Sequence, residues 1–153
     1  PGKKLMLRLR EVSNLGAVNA LVEKYSLEGR VACCGVGAAQ AAFTAKHCPL
    51  IPMYVEAGKF SLGDAESCIA FLDEITPYSP AGVTCEADRI TPQLVEAVQA
   101  YGLKISATQV NSEADMYAML LLKVDNIATE KPDTLYNIMH EWTGLYAQGN
   151  PNA

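Results

Sequence analysis

The chain has 153 residues, half of them hydrophobic and 19% charged, with a formal net charge of −5. This is the composition of one globular domain with enough length to bury a core, and its acidic balance argues against nucleic acid, which needs clustered Lys and Arg. The one basic cluster, Lys3, Lys4, Arg8 and Arg10, is short, and no apolar run approaches the ~20 residues of a membrane helix.

In chain order, strand and helix patterns alternate. Residues 4–10, KLMLRLR, read as a strand, with Leu5, Leu7 and Leu9 on one face and Lys4, Met6, Arg8 and Arg10 on the other. Asn14 is placed to cap a helix whose stripe is Leu15, Val18, Leu21, Val22 and Tyr25, and Gly29 ends that segment. Arg30 to Cys34 is a second strand. Gly35-Val36-Gly37 then turns into an Ala-rich helix reaching His47. Leu50 to Val55 is a third strand, with Glu56 at its end, and Asp64 caps a helix carrying Ile69, Leu72 and Ile75.

The prolines of Thr76 to Pro80 mark a loop. Gly82 to Cys85 is a fourth strand, followed by Glu86 and Asp88. Thr91-Pro92 is a clean helix start, Leu94, Val95, Val98 and Tyr101 face inward, and Gly102 stops the helix. Residues 104–110, KISATQV, form a fifth strand. Ser112 caps the next helix, with Asp115 three residues on and Met116, Met119 and Leu120 as its apolar face. Val124 to Ala128 is a sixth strand, and Pro132 begins a last helix through Leu135, Ile138, Met139, Trp142 and Leu145. The expected domain is residues 1–147, with a disordered polar tail at 148–153.

Six strands alternating with six helices, without a hairpin signal, predict a parallel sheet with helices outside. Two architectures compete. One is an open doubly wound sheet. The other is a TIM-type (β/α) barrel, which takes eight units, so that six would make an incomplete one.

Cys33, Cys34, Cys48, Cys68 and Cys85 are odd in number and lack a CxxC pattern, so they read as small buried hydrophobes. This usage suits a reducing compartment such as the cytoplasm, and a secretory leader upstream of Pro1 stays open. His47 and His140 lie on helices, in the outer layer of a barrel, away from the strand ends where barrel sites are built. Gly35-Val36-Gly37 fails the GxGxxG pattern because Gln40 stands at its third glycine. Trp142 and Tyr146, spaced i, i+4, read as packing residues.

The strand-end acids Glu56, Glu86, Asp88 and Glu130 fall on one rim, where they either hold a hard cation or solvate loop ends. Arg8 and Arg10 share a face, the lumen in a barrel, where they pair with Glu56 or Glu86 or grip a phosphate in a bidentate fork.

The last third of the chain resembles the C-terminal part of the glycerophosphodiester phosphodiesterase family. In that family a strand of the type GLKVYVWTVN precedes a helix with Asp-Met near its start, and a strand of the type VDGIITDxP follows. Here the text is Gly102 to Asn111, then Asp115-Met116, then Val124 to Pro132. A looser match places residues 4–10 on a strand of the type IEIK, and the resemblance covers most of residues 4–140.

The resemblance implies a barrel whose third to eighth strands are present. It also implies calcium- or magnesium-assisted hydrolysis of a small phosphodiester, with histidines handling protons. The family's His-Arg strand and first metal carboxylates belong to the two strands the match leaves out. Arg8 and Arg10 stand at the Glu and Lys of IEIK, Thr108 at the aromatic, Gln109 at the threonine beside it, Asn126 at the glycine and Glu130 at the aspartate. From their strand-end placement, the candidate substrate contacts are Arg8, Arg10 and Gln109, and the candidate metal ligands are Glu56, Glu86 and Glu130. The chain alone is expected to be inactive, the alternative being a non-catalytic binding or assembly domain. Its open edge strands are expected to be covered by self-association or by a further N-terminal segment.

Overall fold

A computed structural model describes residues 3–58 and 64–149. Its elements alternate: β1 (Leu5–Arg8), α1 (Leu15–Lys24), β2 (Val31–Gly37), α2 (Ala38–His47), β3 (Met53–Glu56), α3 (Ala65–Ile75), β4 (Gly82–Glu86), α4 (Pro92–Ala100), β5 (Lys104–Thr108), α5 (Glu113–Leu121), β6 (Asn126–Ile127) and α6 (Pro132–Gly149). The six strands are parallel, and each pairs with the next in chain order. A doubly wound sheet reverses its strand order at a switch point, and no reversal occurs here. The sheet therefore curls one way, as an incomplete TIM-type barrel.

Register divides the strand residues into two faces. Leu7, Cys33, Met53, Val55, Val83, Cys85, Ile105, Ala107 and Ile127 face the helices. With Leu72, Ile75, Leu94, Val98 and Met116 they make the core, and most of this set is fully buried. The opposite, concave face carries Arg8, Cys34, Glu56, Thr84, Ser106 and Thr108. An apolar face packed on helices and a polar face turned toward the barrel axis are the outcome of one period-2 pattern.

Two glycines shape this concave side. At Gly35, φ is +81°, and an added Cβ would overlap the carbonyl oxygen of Leu9. The register between β2 and β3 shifts between Cys33 and Val36. Gly35 thus accommodates a bulge that restores the helix-facing side to Val36. Gly37 begins α2 as its N-cap, its N–H donating to Gln40 Oε1 at 3.3 Å. The residues read as a turn are therefore the end of a longer strand. At Gly82 an added Cβ would overlap the Lys104 carbonyl oxygen and lie 2.6 Å from Tyr54 Cε1, so Tyr54 lies across it inside the half-barrel.

Several local expectations change in the fold. β1 ends at Arg8, which leaves Arg10 off the sheet, and β5 ends at Thr108, because Gln109 turns the chain at φ +60°. β6 is two residues long, although the N–H groups of Asp125 and Ala128 extend its ladder to Ile105 and Ala107. Asn14 makes no side-chain cap on α1. Asp64, Thr91 and Ser112 do cap their helices, accepting from the N–H groups of Ser67, Leu94 and Asp115. Ile69 is exposed and Phe71 buried instead, because α3 turns Cys68, Phe71, Leu72 and Ile75 to the sheet. Leu21, Tyr25 and Met139 lie in expected apolar stripes but are exposed. They lie on or just past α1 and α6, the helices at the two ends of the sheet. α6 runs through Gly149. Residues 150–153 of the expected tail, and the side chains of Leu145 and Tyr146, lie outside what is described.

Candidate functional site

The carboxyl ends of β1 to β5 enclose a cavity of about 170 Å³. Parallel strands bring unrelated loop starts to one rim, so residues distant in sequence meet there. Arg8 and Glu56 form an ion pair, Nη2 to Oε1, at 3.6 Å. Gln109 Nε2 donates to Glu86 Oε1 at 2.8 Å. The left-handed backbone at Gln109 is uncommon for a residue with a side chain, and it aims the amide at Glu86. The Thr108 hydroxyl donates to the Cys85 carbonyl at 3.2 Å. Arg89, from the 3₁₀ turn after β4, donates to the carbonyls of Ala57 and Gly58.

Two further groups line the cavity. Cys34 is half-buried, and burial pushes its thiol above the ordinary range, with Arg8 pulling it down and Glu56 adding to the rise. Thr84 is buried on the concave face between Glu56 and Ser106, and its Oγ1 has no hydrogen-bond partner among the described residues.

Of the residues predicted from sequence, Arg8, Glu56, Glu86 and Gln109 converge here. Arg10 lies in an adjoining depression with Arg8, Leu9, Gly35 and Glu56. Glu130 lines neither; its N–H is held by Asn111 Oδ1 at 2.9 Å. Asp88 is exposed beside Arg89 on the same 3₁₀ turn. Both histidines sit on outer helices, His47 against Phe43 and His140 against Tyr136.

Sequence reasoning missed Thr84, Cys34 and Arg89. Thr84 offered one signal, a polar residue at an inward position of an otherwise apolar strand. Arg89 offered none, since its role depends on a loop reaching across from β3.

The donor set does not fit a hard divalent cation. Calcium takes six to eight oxygens and magnesium an octahedron of them. Here two carboxylates share the cavity with a guanidinium that cannot ligate. One is paired to that guanidinium and the other accepts from an amide. Among the described residues, no three His, Cys, Asp or Glu side chains converge as a metal site.

No protein-family model and no curated protein sequence matches this chain. Solved structures do. A protein from Galdieria sulphuraria assigned as a glycerophosphodiester phosphodiesterase matches with TM-score 0.75 at 24% identity, over 90% of this chain and 57% of its own. A phosphodiesterase from Oleispira antarctica, solved with the product sn-glycerol-3-phosphate, matches with TM-score 0.67 at 15% identity, over 90% of this chain and 55% of its own. A protein from Coccidioides immitis assigned as a deoxyribose-phosphate aldolase matches with TM-score 0.60 at 8% identity, over 84% of this chain and 59% of its own. The chain therefore has the fold of a partial glycerophosphodiester phosphodiesterase-like barrel, and it spans a little over half the length of the solved proteins it matches.

Proposed function

We propose that this chain is six βα units of a glycerophosphodiester phosphodiesterase-like barrel, and that its strand-end cavity binds the phosphate of a small phosphate ester. One observation carries this reading. Arg8, Glu56, Glu86 and Gln109 converge in one cavity at the carboxyl ends of a parallel barrel sheet, where enzymes of this architecture bind and act. The Oleispira protein, solved with sn-glycerol-3-phosphate, supplies the ligand class.

Binding without hydrolysis is the activity this residue set supports by itself. Hydrolysis of a phosphodiester needs a group that moves a proton to the leaving alcohol. The histidines are on the outer helices, Glu56 is held by Arg8 and Glu86 by Gln109. The proton-handling groups of a working site would come from further barrel units pairing on the open edges. A second copy on those edges would make an assembly domain instead.

Two NMR experiments test the two halves. In phosphorus spectra, glycerophosphocholine incubated with the chain and calcium is expected to stay intact; in proton–nitrogen spectra, sn-glycerol-3-phosphate is expected to shift the amide resonances of Glu56, Thr84 and Gln109. Turnover of the diester would overturn the inactivity. Unmoved amides would overturn the site.

A further inference from the structure

We propose that the strand-end cavity holds a small oxyanion without a divalent cation, with the Arg8 guanidinium and the Thr84 hydroxyl as its donors. This rests on reading the cavity as the chain's ligand site, and it deepens that reading by naming what replaces the metal.

The Arg8 side chain is 76% exposed, and its Nη2 stands 3.6 Å from Glu56 Oε1. That distance is an ion pair but too long for a hydrogen bond. The guanidinium is held in place by charge while its fork of N–H groups stays available. A fork of this kind meets two oxygens of a phosphate at once.

Thr84 supplies an independent sign. It is 6% exposed, stands in the wall of the same cavity, and its Oγ1 has no partner among the described residues. A buried hydroxyl left unpaired is destabilising. Thr44 Oγ1 is also unpartnered, but it lies on α2, outside the cavity. Of the two hydroxyls, only that of Thr84 belongs to a residue of the cavity wall.

The charges decide between cation and anion. The cavity wall carries Arg8 and Arg89 against Glu56 and Glu86. Arg8 offsets Glu56, and the Gln109 amide occupies one oxygen of Glu86. An incoming cation would sit beside a guanidinium. An incoming oxyanion meets a balanced wall and the N–H fork of Arg8. The remaining carboxylate oxygens accept from a ligand that carries hydroxyl groups beside its charge, as the dihydrogen phosphate ion does. The cavity itself, about 170 Å³, is below the ~300–1,000 Å³ of ordinary ligand pockets.

The test is calorimetric titration of the full chain with inorganic phosphate, in EDTA and again in calcium. The same dissociation constant is expected in both. Arg8→Gln is expected to weaken phosphate at least about tenfold, the loss of a charged hydrogen bond, and Thr84→Val to weaken it by a smaller factor. Glu130→Gln, outside the cavity, is expected to leave it unchanged. Circular dichroism checks that each variant folds. Terbium luminescence is expected to stay silent with the wild-type chain. Phosphate bound only with calcium, or terbium bound and then lost in Glu56→Gln, would overturn the metal-free site while leaving the cavity as a ligand site. No phosphate bound in either buffer would overturn the ligand site itself.

Discussion

Cys33 and Cys85 show how strongly one residue's environment depends on which strand face it occupies. Both point into the layer between sheet and helices. Burial pushes Cys33 up to about 12 and Cys85 to about 11, from an ordinary 9.0. In the unfolded chain both thiols ionise near 9. Between there and 11 to 12 the folded chain therefore binds more protons, and stability falls as pH rises. Urea midpoints are expected to drop from pH 8.5 to 10.5, and to drop less in a Cys33→Ala/Cys85→Ala variant. Equal slopes for the two proteins would show that these thiols titrate alike in the folded and unfolded chain. Cysteine spacing indicated burial. The adjacent Cys34 lines the cavity because β2 alternates, a distinction visible in the sequence only once the strand and its faces are assigned.

At the scale of elements, the helix starts were the most legible features. Ser112 and Asp115 bond reciprocally, the serine accepting from the Asp115 N–H at 3.1 Å and donating to its carboxylate at 2.6 Å. Thr91 accepts from Leu94 N–H at 3.2 Å, with Pro92 at the first helical position. Thr91→Ala is expected to cost about 1 kcal/mol, read as a lowered urea midpoint at unchanged slope; a neutral result would mean that packing of Leu94, Val95 and Val98 alone sets the start of α4. Strand ends were less legible. β2 runs on to Gly37 through a bulge, and β1 stops before Arg10, because pairing partners and not propensity decide where a strand ends. Asn14 shows the same limit for a cap: the residue type is right, and the backbone does not deliver its side chain.

The whole molecule is defined by what its edges lack. β1 and β6 end the sheet without a partner among the described residues. Leu5 and Leu9 donate their N–H groups to Arg30 and Cys34 on the β2 side, so alternation turns the N–H groups of Met6 and Arg8 outward. Leu5 is 56% and Met6 41% exposed, on opposite faces of β1. Natural edge strands are blunted by charge or by shortness. β6 is short, with two residues, and the lysines beside β1, Lys3 and Lys4, stand ahead of its paired residues. The isolated chain is expected to self-associate through β1. Size-exclusion chromatography with light scattering should then show a species larger than one chain, with slow amide exchange at Met6 and Arg8. A monomer with fast exchange at both amides would sink this expectation.

The sequence by itself determined the order of elements, the parallel sheet, most helix caps and the rim that carries the cavity. These follow from local periodicity and from residue types with one physical use. It also placed Arg8, Glu56, Glu86 and Gln109 at strand ends. Only the tertiary structure decided that Glu56 faces Arg8, that Glu86 faces Gln109, that Arg89 reaches back to the loop after β3, and that Thr84 stands unpaired in the wall between them. The same structure moved Arg10 and Glu130 out of the cavity. Which charge meets which is set by sheet register and curvature, long-range quantities that no local pattern encodes.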